Sequence, residues 1–379
     1  MRILPDGFYS LRKSPMDSLS DLCVVVPTIR PDSMRDFIER WGVDGLHSMN
    51  LIIVHDGEGK IGLDSESENI HEVCWGTIHE MLGDSEWIIP RKTDCVRSFG
   101  FLIAAKMGAK YILSMDDDCF PADGRTEDFF MSHLEILSCG LEPSFSTTGR
   151  RDSLMRPRGI LRRDGESLPS RRVLINHGLW DGNLDMAGDD SIATMEFLGR
   201  KDVPMRWLEP RFDVIPNGFS YPMCGMNVSF STDILPAMFF TLQGTIMVEG
   251  IGTRLDYDRW GDIWCGLLSK KVVDGMGGYV TSGVPRVFHS RASSAIVSAR
   301  KEREGLHLHQ RLSRFILDEI DLEVDGPICI ENSARMYEEL AERLNDVRNL
   351  NSDERAYVRL LSESMRKWTR LCLRFVLDS

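Results

Sequence analysis

The chain of 379 residues is 42% hydrophobic and carries a formal net charge of −13. That length supports one large core or two smaller ones, and the acidic balance argues against nucleic acid as the main partner, because counterion release needs a basic face. No run approaches the roughly 18 apolar residues of a membrane span, and the stretch MRILPDGFYSLRKSP shows no secretory signal. Nine dispersed cysteines, with no CxxC pair or metal-ligand spacing, read as reduced thiols of a cytoplasmic protein.

The first 120 residues alternate strand and helix signals. Leu22–Val26 is an apolar run closed by PTIRPD, and Leu51–Val54 is another, closed by HDGEG. Glu86–Ile89 is a weaker third, and Tyr111–Met115 is a fourth that runs into Asp116, Asp117 and Asp118. Helices are predicted near Ser33–Trp41 and Val96–Met107, where Phe99, Ile103 and Met107 recur at helical spacing. Alternation of this kind predicts a mainly parallel sheet with crossover helices, whose ligands bind beyond the carboxyl ends of the strands. Thr28, Arg30, His55, Asp56 and the three aspartates gather at those ends.

Between Gly149 and Val173 lie eight arginines. Two readings stand: a solvated basic loop, or a loop over a polyanionic ligand, since guanidinium matches phosphate bidentately. From about Lys301 the texture becomes helical, in SARMYEELAERL and AYVRLLSESMRKWTRLCLRFVL. In the last helix Tyr357, Leu360, Leu361, Trp368, Leu371, Cys372 and Phe375 lie close to one stripe, which packs on the domain or forms a homo-oligomer interface. Ser352 or Asp353 is its expected N-cap. The expected division is a catalytic domain over 1–300 and a helical extension over 301–379.

Three adjacent carboxylates repel one another unless a cation compensates them. A solvated acidic turn is the plain alternative. An apolar strand directly upstream, however, places the acids at the ligand-binding edge. Mg²⁺ and Mn²⁺ take carboxylate and water ligands there and bridge to substrate phosphates.

A collinear series makes a more specific resemblance: VVVPTIRP, LIIVHDGEG, DCVRSFGF, YILSMDDDCF, NHGLW, YPMCGMNVSF, RWGDIW and VFHSRAS. The sequence resembles the reversibly glycosylated polypeptides, whose plant members are UDP-arabinopyranose mutases. The resemblance implies an α/β, GT-A-like fold, a divalent metal (Mn²⁺ or Mg²⁺) and no flavin. It also implies interconversion of the pyranose and furanose rings of a nucleotide-diphosphate sugar, UDP-arabinose or, as in some bacterial relatives, GDP-rhamnose.

Carried over by position, Thr28, Arg30 and Asp56 fall in loops that hold base and ribose, with Asp94 and Arg97 near the nucleotide. Asp116 and Asp118, with His289, match a metal site, and Asp117 a nucleotide contact. His177, Trp180 and Asp185 match a substrate-side loop, and Asn227 is the sugar-binding group of PMCGMN. The resemblance makes Asp262, Arg158 and His177 the candidate catalytic residues. Asp262 is suited to steady an oxocarbenium-like carbon or to move a hydroxyl proton.

The departures are also informative. Arg158-Gly159 matches the family's Arg-Gly pair, but TTGRRDSLMRPRGILRRDG lacks the Tyr- and Asp-rich plant context, so anion binding competes with self-glycosylation there. The plant QDG is HDG here, and a glycine precedes Asp262 where the family has an acid. These differences favour a bacterial nucleotide-sugar mutase. A true glycosyltransferase and a self-glycosylated, non-catalytic scaffold are the alternatives.

Overall fold

The computed structural model describes residues 9–12, 17–42, 46–63, 68–122, 126–143, 171–183, 188–199, 204–205, 212–248, 253–290 and 295–377. Strand β1 (Tyr9–Arg12) precedes β2 (Leu22–Thr28), α1 (Pro31–Trp41), β3 (Asn50–His55), β4 (Ile70–Cys74), α2 (Trp75–Leu82), α3 (Arg97–Lys106) and β5 (Tyr111–Met115). Then come β6 (Cys119–Pro121), α4 (Thr126–Ser138), β7 (Gly140–Pro143), β8 (Arg171–Asn183), α5 (Gly188–Leu198), β9 (Pro204–Met205), β10 (Phe212–Ile215) and β11 (Asn227–Ser231). A hairpin, β12 (Gly244–Val248) and β13 (Thr253–Tyr257), leads to α6 (Gly261–Gly275) and β14 (Tyr279–His289). Helices α7 (Ala295–Asp318), α8 (Ile330–Arg343) and α9 (Ser352–Leu377) follow.

The sheet runs β1-β7-β8-β11-β5-β2-β3-β4, with β14 also paired to β8. β4, β3, β2 and β5 pair in parallel. β11 is antiparallel to both β5 and β8, so β8 and its parallel neighbour β14 point the same way as β5. The carboxyl ends of β2, β3, β5 and β14 therefore meet at one edge. This is a mixed sheet with flanking helices, parallel through its β4-β3-β2-β5 layer as expected of a GT-A-like fold, and it carries a helical C-terminal region.

Burial explains why these runs become strands. Leu22, Val24, Val25 and Val26 are fully enclosed, as are Leu51, Ile52, Ile53 and Val54. Full burial of such a side chain is worth about 1.5–3 kcal/mol. Helix α3 lies directly on this layer, and at Gly100 a Cβ would overlap the side chains of Val25 and Val54.

The structure corrects the strand expected at Glu86–Ile89, because Gly83–Ile88 is a 3-10 helix and β4 is the neighbour of β3. Ile88 and Ile89 are buried in the core, which any backbone can achieve. Strand β4 carries half-exposed His71 and Glu72, so its apolar signal is weak. Helix α4 had no counterpart among the expected elements, and α7 begins at Ala295, just ahead of the helical stretch expected from about Lys301.

The stripe on α9 is buried within the chain: Tyr357, Trp368 and Cys372 are fully enclosed, and Trp368 stacks on Phe239 at 5.3 Å. Its N-cap is Asn351 rather than Ser352 or Asp353. The Asn351 Oδ1 accepts from the backbone N–H groups of Asp353 and Glu354, and Glu354 Oε2 accepts from Asn351 N–H, a capping box.

Candidate active site

The aspartate turn divides its three charges among three partners. Asp116 C=O accepts from Cys119 N–H at 3.1 Å, closing a tight turn in which successive side chains diverge. Asp117 is 3% exposed and points back at β2: Thr28 Oγ1 donates to it at 2.6 Å, and the Arg30 guanidinium bonds both its oxygens. It locks the PTIR loop against the turn. Asp116 takes Arg97 Nη2 at 2.7 Å.

Asp118 is the least compensated of the three. Among the described residues its nearest basic side chains are Arg30, with Nη2 at 3.6 Å, and His289, with Nε2 at 3.9 Å. Burial, and then the Asp116 charge, push its carboxyl from 3.8 up to about 6. Ser290 N–H donates to Asp118 C=O at 3.0 Å, which sets the end of β14 beside the turn. His289 Nδ1 lies 2.9 Å from Asn183 C=O. With Nδ1–H donated there, Nε2 turns its lone pair toward Asp118.

A divalent cation fits between these two side chains. A carboxylate and a neutral imidazole oriented by a backbone carbonyl are suitable ligands, and phosphate and water complete such sites. Among the described residues no three His, Cys, Asp or Glu side chains form a fuller ligand shell.

The turn opens into a cleft of about 440 Å³, lined also by Asp56, Asp94, Gln243, Asp258, Arg259, Asp262 and Lys301. Asp56 follows β3 and is 6% exposed. Lys92 N–H bonds its Oδ2, while its enclosed Oδ1 has no hydrogen-bond partner and lies 3.5 Å from Arg91 Nε. Burial pushes its pKa up. Asp94 is pushed up by burial as well, against the pull of Arg97, and accepts from the Gln243 amide. Asp262 sits in the first turn of α6, and its Oδ1 accepts from Ile263 N–H at 2.8 Å.

The structure thus brings together Thr28, Arg30, Asp56, Asp94, Arg97, Asp116, Asp117, Asp118, Asp262 and His289 on one cleft. Three other expected residues stand elsewhere. Asn227 is fully buried at the start of β11, donating to Leu179 C=O and Pro285 C=O and paired through Oδ1 with His133. A sugar cannot reach that amide without displacing core bonds. His177 lies inside β8, bonded to Tyr221 and Cys224, and burial pulls its pKa down to about 4. Trp180 packs edge-on against it at 5.9 Å. Neither lines the cleft. Arg158 and Asp185 lie outside the described residues. Arg171 and Arg172, the end of the arginine run, sit at the start of β8, far from the cleft edge, where Arg172 pairs with Asp233 at 2.8 Å.

Lys92, Gln243, Arg259 and Lys301 were absent from the sequence expectations. Lone residues of these types carry no pattern that marks them. The backbone signal was readable only in three dimensions: Lys92 and Arg259 have φ of +59° and +66°, rare for non-glycine residues.

Gly225 is required by close approach. Arg97 Nη1 donates to its carbonyl at 2.7 Å, and a Cβ there would lie 2.5 Å from Arg97 Nη1. Gly225→Ala is therefore expected to displace Arg97, lower stability by about 1–3 kcal/mol and reduce activity. Urea denaturation and turnover on the same preparation check this.

The family model for reversibly glycosylated polypeptides matches residues 18–375. The chain belongs to that family. Curated relatives agree. The protein named probable UDP-arabinopyranose mutase 4 of Arabidopsis thaliana is 33% identical, covering 78% of this chain and 77% of its own. UDP-arabinopyranose mutase 2 of the same plant is 32% identical over 82% of each chain. A Solanum tuberosum protein named probable UDP-arabinopyranose mutase 1 is 32% identical, over 78% and 76%. A solved mannosyltransferase from Pyrobaculum calidifontis, in complex with GDP-Man and Mn²⁺, covers 97% of this chain and 79% of its own at 10% identity. Its TM-score of 0.34 is too low to argue from. In this family member no described helix is long and apolar enough to cross a membrane, and none of the nine cysteines is in a disulfide.

Proposed function

We propose that this family member is a metal-dependent, flavin-independent mutase that interconverts the pyranose and furanose forms of a nucleotide-diphosphate sugar. The observation that carries this reading is the kinship with proteins named UDP-arabinopyranose mutase over about four fifths of the chain. The cleft adds chemical support. Within the aspartate turn, Asp118 is the least compensated carboxylate and faces an imidazole, while Asp116 and Asp117 already have arginine partners.

Ring contraction loosens the anomeric C–O bond to the diphosphate, opens the ring and re-closes it through the 4-hydroxyl. Asp118 and His289 would hold a Mn²⁺ or Mg²⁺ ion, which supplies charge stabilisation to the diphosphate as that bond weakens. Arg97 stays fixed on Asp116 and keeps the turn in place. Asp262 presents a carboxylate for the electron-poor carbon or for the hydroxyl proton. Asp56, with Oδ1 lacking a hydrogen-bond partner, is suited to accept an N–H of the base. Residues 1–300 form the nucleotide-sugar-binding unit in this reading, buttressed by the helices beyond. A cytoplasmic setting fits the reduced thiols.

The test is incubation of the protein with Mn²⁺ and a panel of UDP- and GDP-sugars, resolving ring forms by chromatography. An isomeric nucleotide sugar formed without acceptor is expected. Nucleotide release only on addition of an acceptor overturns the mutase in favour of a transferase, and binding with neither outcome favours a scaffold.

A further inference from the structure

Among the described residues the cleft offers few cations that can be surrendered to a ligand. Arg97 is 3% exposed and tied to Asp116, and Arg30 is tied to Asp117. Asp56, Asp94, Asp116, Asp117, Asp118, Asp258 and Asp262 all line the same space. A diphosphate entering such a site needs positive charge beyond one divalent ion. The segment between β13 and α6 and the second turn of α7 supply it. Arg259 and Lys301 both line the cleft, and their side chains are 34% and 50% exposed.

Both are aimed by built-in contacts. Arg259 holds φ at +66°, a conformation that costs about 1–2 kcal/mol for a residue with a Cβ and persists only where surroundings enforce it. Here α7 enforces it through three successive residues. Asp258 pairs with Lys301 at 2.6 Å, Arg259 Nε with Glu302 Oε1 at 3.2 Å, and Trp260 Nε1 donates to Glu302 C=O at 3.1 Å. Gly305 admits the Trp260 ring, which also stacks on His309 at 4.6 Å. Partly exposed ion pairs contribute little, about 1 kcal/mol or less, so their cations exchange readily to a more highly charged anion.

We propose that Arg259 and Lys301 form a diphosphate-binding wall, exchanging Glu302 and Asp258 for phosphate oxygens when the nucleotide sugar binds. This rests on the nucleotide-sugar reading above. It makes α7, and through it the C-terminal helices, part of the ligand site. Lys301 meets the ligand as a point charge and Arg259 as a planar fork.

Calorimetry of the full chain with GDP and with UDP, Mn²⁺ present, tests the proposal, with guanosine and uridine as uncharged controls. Arg259→Gly, which keeps the left-handed backbone, and Lys301→Met on the surface are each expected to weaken the better nucleotide about tenfold. Nucleoside binding should not change, and Arg259→Lys and Lys301→Arg should retain most of the affinity. Asp258→Asn should tighten nucleotide binding several-fold in the unaltered protein and not in the Lys301→Met background, since its effect acts through Lys301. Equal nucleotide affinity in both neutralised variants and the unaltered protein overturns the wall while leaving the nucleotide-sugar reading intact. If the unaltered protein binds neither nucleotide, both fall together.

Discussion

Asp118→Asn is expected to lose at least about 100-fold in turnover, and at the same time to make the metal-free protein more stable. The two effects have one cause. Asp118 is a mostly buried carboxylate beside Asp116, with no cationic group among the described residues nearer than 3.6 Å, and its pKa stands at about 6 instead of 3.8. Each pH unit of that rise corresponds to roughly 1.4 kcal/mol. Keeping it ionised near neutrality therefore costs the empty fold on the order of 1–3 kcal/mol, which the amide variant recovers. On the proposed metal reading a bound divalent ion would offset the cost in the unaltered protein, so Mn²⁺ should raise its melting temperature and leave that of Asp118→Asn unchanged. The loss of turnover follows from removing a charged ligand where diphosphate charge develops. Full activity, or a Mn²⁺-induced melting shift in the variant equal to that of the unaltered protein, sinks the assignment of Asp118.

The second large effect concerns stability. Arg97→Met is expected to destabilise the fold by about 2–4 kcal/mol, because it strips the hydrogen bonds from buried Ser114 and Gly225 and leaves the part-exposed Asp116 without its guanidinium. Burial opposes the charge on Arg97, but Asp116 and Asp94 more than reverse this and hold the guanidinium protonated. The same side chain donates to Ser114 Oγ and Gly225 C=O, both at 2.7 Å, and to Asp94 C=O at 3.2 Å. Removing it leaves Asp116 beside Asp118 with no cation between them and frees the loop before β11. Arg97→Lys keeps a charge, but one compact ammonium cannot replace a planar fork that reaches four acceptors, so it should recover less than half of the loss. Urea denaturation of the three proteins measures the series. A change below about 1 kcal/mol in Arg97→Met would show that Arg97 does not organise the site.

Much of the framework was legible in linear order. Leu22–Val26, Leu51–Val54 and Tyr111–Met115 are contiguous apolar runs, and contiguity is what full burial in a parallel layer requires. The polar clusters that close them had to lie at the carboxyl edge, and His289 ends a strand that arrives there as well. Less was legible where the signal was local burial without periodicity. Ile88 and Ile89 resemble a strand because they are buried, whereas the real edge strand carries His71 and Glu72. At α9 the cap is Asn351, because capping is set by which side chain reaches the first N–H groups, not by the first polar residue before an apolar run.

By itself, the sequence determined that three carboxylates would follow a buried strand, that PTIR and HDG would flank them, and that a metal-and-diphosphate chemistry was the sensible reading of that cluster. Residue type and strand periodicity suffice for such statements. Only the tertiary structure decided how the charges are apportioned. Asp117 belongs to Thr28 and Arg30, Asp116 to Arg97, and Asp118 faces His289, because partners 19 to 171 positions away along the chain converge through the sheet order. It also decided that Asn227 and His177 are occupied in the core, and that Arg259 and Lys301 reach the cleft from the segment between β13 and α6 and from α7. Ion pairing falls off over a few ångströms, a distance that spacing along a chain does not encode.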